Sequence, residues 1–446
     1  MLPLAMIIKG QGHDVSGSDR SHDQGLNGNK FHWINKQGIK LFPQDGSGLT
    51  MGMILVVSTA IEASIPDVKR AQDLGLKIIK RADLLSSLFN AAEMRIGIAG
   101  TSGKSTTTGM VSYALSRLDK NPTMMNGAVV KDFVIDQNPY ATFLNGDSNL
   151  FISEIDESDG SIALYNPSIA VINNIALDHK PLNELIPLFV NYAAKAEQVV
   201  LPYNAPYIDE VKAEISANKV IWFGFDARAD FFATDLRHYD KTLSALIHHK
   251  DQKETLSLNV IGEHNMMNAL ATLSVLHALG FSLAKSCKAL SNFSGIKRRM
   301  EIVGRSAQNI TVIDDFAHNP DKITASLKTL KHHQGRLIIL FQMHGFGPLR
   351  LMREELARVF GHYLSPDDLL YMPEVLYLGG TVDRSYTAKD FIDELKHTHT
   401  LSYWFETRDD AVEDILRQAK PHDRIIIMGA RDDTLSDVTK FILSSL

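Results

Sequence analysis

The chain has 446 residues, a length that predicts about three domains and excludes a single hydrophobic core. It is 44% hydrophobic and 22% charged, which excludes a disordered, collagenous or disulfide-stapled protein. Its net charge of −6 argues against broad binding to a nucleic-acid backbone, which needs clustered Lys and Arg.

Cys287 is the only cysteine, so neither an internal disulfide nor a thiolate zinc site is possible and a reducing compartment is expected. No apolar run reaches the roughly 18–20 residues of a membrane helix. The start, Met1–Lys9, has no cationic stretch before its apolar residues and no small-residue cleavage site after them. A cytoplasmic protein without membrane or nucleic-acid partners is expected, as monomer or homodimer.

Short apolar, β-branched runs predict strands at Met53–Val57, Arg95–Ala99, Leu150–Ile155, Ile169–Asn173, Lys219–Phe223, Ile310–Ile313, Arg336–Phe341 and Arg424–Met428. Their spacing is too wide for hairpins and suits buried parallel strands joined by crossover helices, an α/β architecture. Helices are expected at Ala82–Ala92 and Asn265–Leu279, and the polar, alternating stretch Asp226–Lys253 suggests an antiparallel flap. Domains are expected at 1–92, 93–300 and 301–446.

The most informative segment runs Ile96-Gly97-Ile98-Ala99-Gly100-Thr101-Ser102-Gly103-Lys104-Ser105-Thr106. A strand enters a glycine-bearing turn and a helix starts at Lys104. Such a turn points backbone N–H groups at phosphate oxygens, and the helix N-terminus adds partial positive charge. Lys104 brings a full charge to the β/γ-phosphates and Ser105 a hydroxyl for Mg²⁺. The strict P-loop pattern needs glycine where Ile98 stands, so the match is to a shorter G-T-x-G-K-S-T form. A plain glycine/serine turn capping a helix would carry no Lys-Ser-Thr, and a nucleoside triphosphate site is the reading adopted.

The next strand ends in Ser153-Glu154-Ile155-Asp156-Glu157. Ligands gather at the carboxyl ends of strands in open α/β sheets, so Glu154 is the candidate for Mg²⁺. Alternation predicts Glu154 and Asp156 on one side of the strand; a solvated acidic turn would read alike. His179, after the following strand, is a candidate for a second metal or for the γ-phosphate. Asn265 and Asn268, three apart on a helix, could read an adenine edge, while Asn265 could equally be an N-cap. The pairs His248-His249 and His332-His333 are expected to be solvated.

Taken together, these stretches resemble the Mur ligase family. The resembling segments are Val15–Asp19, Val56–Ile61, Gly97–Thr108, Glu154–Asp159, Asn173–His179, Gly262–Ala271, Lys297–Glu301 and Asp314–Pro320, in the family's order across nearly the whole chain. The resemblance implies three α/β domains: a Rossmann-like N-terminal domain for a UDP-sugar, a central P-loop ATPase domain and a Rossmann-like C-terminal domain for an amino acid. It implies ATP-dependent amide-bond formation through an acyl phosphate, and the pattern is most similar to members that join L-alanine to UDP-N-acetylmuramate.

The resemblance also implies roles. Gly100, Thr101, Ser102, Gly103, Lys104, Ser105 and Thr106 would hold the ATP phosphates. Glu154 and His179 would hold a second Mg²⁺. Asn268 would meet adenine, Asp315 the ribose and Arg299 the γ-phosphate. His318 would lie near the reacting groups, where it or Glu154 takes the amine proton. Ser18, Asp19 and Ser58 fall in the sugar-nucleotide segments, and His344 and Arg350 in the amino-acid segment.

The chain departs from the family pattern in four places. The N-terminal glycine motif and first strand are missing, so either the start is truncated or misassigned or the UDP site is incomplete. Asp-His-Met reads Asp178-His179-Lys180. His-Arg-Tyr-x-Arg reads His344-Gly345-Phe346-Gly347-Pro348-Leu349-Arg350, and Gly-Ala-Gly-Asp reads Gly429-Ala430-Arg431-Asp432. The last two motivate an alternative: a ligase for another amino acid or a recycled peptide. A nucleotide-binding regulator without ligase activity is the alternative from another class. A GTPase is disfavoured, since Asn35-Lys36-Gln37-Gly38 lacks the acid that reads guanine.

Overall fold

The computed structural model describes residues 1–58, 64–176, 181–376, 383–399 and 401–446. The chain forms two compact units. The first comprises Met1–Val129, Phe133–Phe231 and Ala271–Ser282; the second comprises Val130–Asp132, Phe232–Leu270 and Leu283–Leu446.

In the first unit, parallel strands run side by side in the order Val220–Gly224, Gln198–Pro202, Ile169–Ile172, Met94–Ala99, Asp147–Glu154 and Pro122–Met125. Phe143–Leu144 closes the far edge antiparallel. Ile96, Ile98, Ile152 and Val171 are fully buried, and each such aliphatic side chain contributes roughly 1.5–3 kcal/mol by leaving water. That burial on both faces explains why these strands read as continuous apolar runs. Two small parallel pairs precede this sheet: Ser16–Ser18 with Lys40–Phe42, and Ile54–Val57 with Lys77–Lys80.

Register decides where the chemistry lies. Ile98 aligns with Glu154, and Ala99 with Ile172. The glycine loop after Ala99, the acidic turn after Glu154 and the asparagines after Ile172 therefore leave the sheet at one carboxyl edge.

The second unit has a six-stranded sheet in the order Glu301–Arg305, Thr311–Asp315, Arg424–Gly429, Leu337–Gln342, Leu369–Pro373 and Ser402–Phe405. The first pair is antiparallel and the rest parallel. One apolar cluster around Ile339, Phe341 and Phe360 and another around Ile338, Leu340 and Ile427 fill its two faces. The flap expected at Asp226–Lys253 is three antiparallel strands, Phe231–His238, Leu243–His249 and Gln252–Leu258.

His332 is exposed, as expected from sequence, but the other three histidines of the two pairs are not, which corrects the sequence reading for them. His249 is buried, and His248 stacks on Phe232 with ring centroids 4.4 Å apart while its Nε2 meets the Thr234 hydroxyl at 2.8 Å. His332 stacks on His238 at 4.2 Å, and His333 lies in the same cluster, where burial pulls its imidazole down to about 4. These rings are held by residues far away in sequence. Among the described residues, no helix is long and apolar enough to cross a membrane.

Candidate functional site

The glycine loop takes the form its sequence demands. Gly100 has φ +126° and Gly103 φ +81°, conformations that side chains resist. A Cβ at Gly100 would also lie 3.0 Å from the Asn173 backbone nitrogen. The helix Lys104–Arg117 begins directly behind Gly103 and is buried along most of its length. Asparagines of the adjoining strand end pin the loop: the Ser102 N–H donates to Asn174 Oδ1 at 2.9 Å, and Asn173 Nδ2 donates to the Thr107 hydroxyl at 3.0 Å. The Thr101 hydroxyl accepts from the Ala176 N–H at 2.9 Å. The Asn126 side chain donates to the Ser105 carbonyl at 3.1 Å.

Lys104 and Ser105 each meet a carboxylate from the neighbouring strand end. The Ser105 hydroxyl donates to Glu154 Oε2 at 2.8 Å, and the Gly127 N–H donates to the same oxygen at 2.9 Å. Lys104 Nζ donates to the Gly100 carbonyl at 2.7 Å and to both Glu157 oxygens at 2.9 and 3.1 Å. Burial raises the Glu157 carboxyl above its ordinary range, with Lys104 pulling the other way.

The sequence reading missed Glu157. Alternation cannot reach it, because the strand stops at Glu154 and Asp156 instead closes a turn onto the Ser158 N–H at 2.9 Å. The expectation that Asp156 shares a strand face with Glu154 is thereby corrected. Asn126, Asn173 and Asn174 were also missed as loop partners; two adjacent asparagines at the end of a strand beside a glycine loop were the available signal. His179 lies outside the described residues.

In the second unit, His318 and His344 come together at the carboxyl edge of the sheet. Their rings meet edge to face at 5.2 Å, and His318 Nδ1 lies 2.8 Å from the Phe316 carbonyl. Arg299 lies over the Phe316 ring with its guanidinium 4.6 Å from the centroid. Asp315 is buried and faces inward, accepting from the Met300 N–H at 3.1 Å and from the Ser326 hydroxyl; burial raises its carboxyl. Asn268 is buried and donates to Asn265 Oδ1 at 3.3 Å, while Asn265 donates to the Ile261 carbonyl. Asn265 is thus held by its own helix start, and the pair shares one face as expected. Arg350, on the helix Phe346–Tyr363, pairs with Asp383. Arg431 is exposed with φ +60°.

The N-terminal candidates are spread out. The Ser18 hydroxyl donates to the buried carboxylate of Asp67, which also accepts from the Gly46 N–H. Asp19 caps the short helix Arg20–Asp23 through the Ser21 N–H. Ser58 directly follows the strand Ile54–Val57.

A strand, a positive-φ glycine loop and a lysine-started helix, flanked by carboxylates at a strand edge, define a P-loop α/β protein. The comparisons with known proteins carry this further. Residues 1–93 match the model described as Mur ligase family, catalytic domain; residues 98–276 match the Mur ligase middle domain; and residues 298–431 match the Mur ligase, glutamate ligase domain. A UDP-N-acetylmuramate–L-alanine ligase of Syntrophobacter fumaroxidans is 31% identical, over 96% of this chain and 91% of its own. One of Caldicellulosiruptor saccharolyticus is 30% identical over 97% and 94%. The crystal structure of the UDP-N-acetylmuramate–alanine ligase of Thermotoga maritima superposes with a TM-score of 0.79 at 23% identity, covering 100% of this chain and 96% of that one. The chain belongs to the Mur ligase family, whose members are ATP-dependent carboxylate–amine ligases. The three-domain α/β class expected from sequence is that family's architecture.

Proposed function

We propose that this enzyme joins L-alanine to the carboxylate of UDP-N-acetylmuramate, releasing ADP and phosphate, as a step in peptidoglycan precursor synthesis. The observation that carries the reading is the 30–31% identity, over nearly full length, to enzymes bearing that name. The domain limits proposed are 1–92 for the UDP-sugar, 93–300 for ATP and 301–446 for the amine.

A carboxylate is a poor electrophile, and phosphorylation makes it an acyl phosphate that an amine can attack. That first transfer brings two anions together, so neutralising charge lowers its barrier. Lys104 supplies charge at the β/γ-phosphates and Arg299 at the γ-phosphate. The backbone N–H groups of Gly100–Thr106 hold the phosphate oxygens. Asn268 is assigned to adenine and Asp315 to ribose.

The donors at the loop suit Mg²⁺, since the Ser105 hydroxyl and Glu154 carboxylate are hard oxygen ligands that already meet one another. Those two, with His179, are the residues proposed to hold it. Bound there, the ion supplies positive charge against the phosphate oxygens. The amine proton passes to His318 or Glu154. Ser18, Asp19 and Ser58 are assigned to the sugar nucleotide. Arg350 and Arg431 are offered as anchors for the amine substrate's carboxylate, beside His344.

The test is ADP release by the purified enzyme with ATP, UDP-N-acetylmuramate and a panel of amines. Release that requires both sugar nucleotide and L-alanine is expected. ATP turnover with neither substrate present would overturn ligation. The altered segment His344–Arg350 favours a second reading, ligation of a different amino acid or a recycled peptide. A clear preference for tripeptide over L-alanine would replace the first reading with the second.

A further inference from the structure

We propose a second anion site at the amino-terminal edge of the six-stranded sheet, built around Arg424 and taking a small molecule that bears a phosphate or carboxylate group. This site is independent of the ligase reading. It sits at the opposite end of the strands Thr311–Asp315 and Arg424–Gly429 from Asp315, His318 and His344.

Arg424 opens its strand between Thr311 and Leu337 and is 6% exposed. Its guanidinium donates to the Leu330 carbonyl at 2.5 Å and, among the described residues, pairs with no carboxylate. Burial draws its pKa only down to about 10, so it stays charged at neutral pH. A buried charge with no paired counter-ion is expensive, because one carbonyl and the more distant Asp240 and Asp368 carboxylates replace only part of its lost hydration. The other cations at this edge are matched: Arg336 pairs with Asp423 at 2.6 Å and Lys331 with Asp368 at 3.1 Å. The local acids are therefore already used.

Arg424 faces a cavity of about 480 Å³, a volume in the range of small-molecule sites. Arg305, His238, His332, His333 and His422 share its wall, and Asp240 is the one carboxylate among the described lining residues. Asp240 is itself taken by Arg305 at 3.0 Å. With every imidazole neutral, two guanidiniums still face one carboxylate.

Two further groups lack partners. Among the described residues, His238 Nδ1 and His333 Nε2 are buried with no hydrogen-bond partner, although buried polar atoms are nearly always satisfied. The imidazoles do not make a metal site instead, since no three metal-ligating side chains converge among the described residues. A bound oxyanion answers the observations together: it balances Arg424 and accepts from the guanidiniums and from the imidazole N–H groups.

The test is calorimetric titration of the full chain with its nucleotide loop filled by a non-hydrolysable ATP analogue and Mg²⁺. Inorganic phosphate and citrate are the probes. Saturable binding of at least one is expected, and the tighter of the two identifies the acid group of the ligand. Arg424→Met should weaken binding about tenfold or more. Because that buried substitution could impair folding, Arg305→Gln and His332→Gln, nearer solvent, are measured beside it and should weaken binding without lowering ligase turnover. No saturable heat from either anion, or unchanged affinity in Arg305→Gln and His332→Gln, would overturn the proposal.

Discussion

Lys104 and Glu157 form an ion pair at 2.9 Å in which the lysine side chain is 14% exposed and the glutamate 5%. The same ammonium is the one proposed to meet the nucleotide's phosphates, so the carboxylate and the nucleotide compete for it. Glu157→Gln keeps an oxygen for Lys104 but removes the counter-charge. We expect the ligand-free variant to lose about 1–3 kcal/mol in urea denaturation. Saturating ADP should restore more stability to it than to the parent, because phosphate then provides the missing charge. A variant as stable as the parent, with no larger gain from ADP, would show that the pair has no bearing on nucleotide binding.

The same residue sets a pH dependence. Burial raises the folded Glu157 carboxyl above its value in the unfolded chain. Within that window the folded state holds more proton than the unfolded state. Stability therefore falls as pH rises from the ordinary carboxylate range through the raised one. Denaturation midpoints followed across that window should decline less steeply in Glu157→Gln. Parallel profiles would mean that another acid carries the slope.

Glu154 differs from Glu157 in what it touches. It accepts from the Ser105 hydroxyl and the Gly127 N–H and has no lysine partner among the described residues. Glu154→Gln should keep the fold and raise the Mg²⁺ concentration for half-maximal ligation about 10–100-fold. Initial rates against Mg²⁺ at saturating ATP check this. An unmoved half-saturation point would take Glu154 off the metal.

Behind the loop, the strand leaves no room at Gly97. A Cβ there would clash with the Tyr192 hydroxyl, which is buried without a hydrogen-bond partner among the described residues. Gly97→Ala should cost about 1–3 kcal/mol by overpacking. Tyr192→Phe removes an unsatisfied oxygen and should be neutral or stabilise by about 1 kcal/mol. Thermal denaturation of the single and double variants forms a cycle in which Tyr192→Phe recovers part of the Gly97→Ala loss. Strictly additive effects would mean that the hydroxyl is not what fills the space.

These residues also show what the chain makes legible. All eight strands expected from apolar runs are present within a few residues. Those buried on both faces, such as Ile169–Ile172 and Arg424–Gly429, must be continuously apolar, whereas Ile54–Val57 is exposed to half-buried and reads only by its run of four aliphatic residues. Lys77–Lys80 and Lys40–Phe42 escaped notice because three or four half-exposed residues carry no period to read. The phosphate loop was legible because its geometry needs glycine at two positive-φ positions and a lysine at the helix start. Glu157 was not, since its partner lies 53 residues away and strand alternation ends at Glu154. The histidine stack of His238 on His332 is likewise a product of tertiary packing and has no local signature.

Arg298 and Arg299 are neighbours with opposite tasks, and substitution separates them. Arg298 is 12% exposed and donates to Asp314 at 3.3 Å, to the Gly429 carbonyl at 2.9 Å and to the Asp432 carbonyl at 2.8 Å. Among the described residues, its loss leaves the buried Asp314 carboxylate with the Ser436 hydroxyl alone as a side-chain hydrogen-bond partner. Arg298→Ala should therefore destabilise by about 3–5 kcal/mol, while activity per folded molecule changes little. Arg299 stacks on Phe316, a contact worth about 1 kcal/mol, and its charge is assigned to the γ-phosphate. Arg299 also acts on the buried Asp315 carboxylate, so Arg299→Ala should cost more than the stack alone but less than Arg298→Ala, and should lose roughly 10²–10³ in kcat. Calorimetric unfolding and steady-state rates on both variants decide it. If Arg299→Ala unfolds as readily as Arg298→Ala and the folded fraction keeps its rate, Arg299 is a second structural pin and the γ-phosphate must be met by another cation.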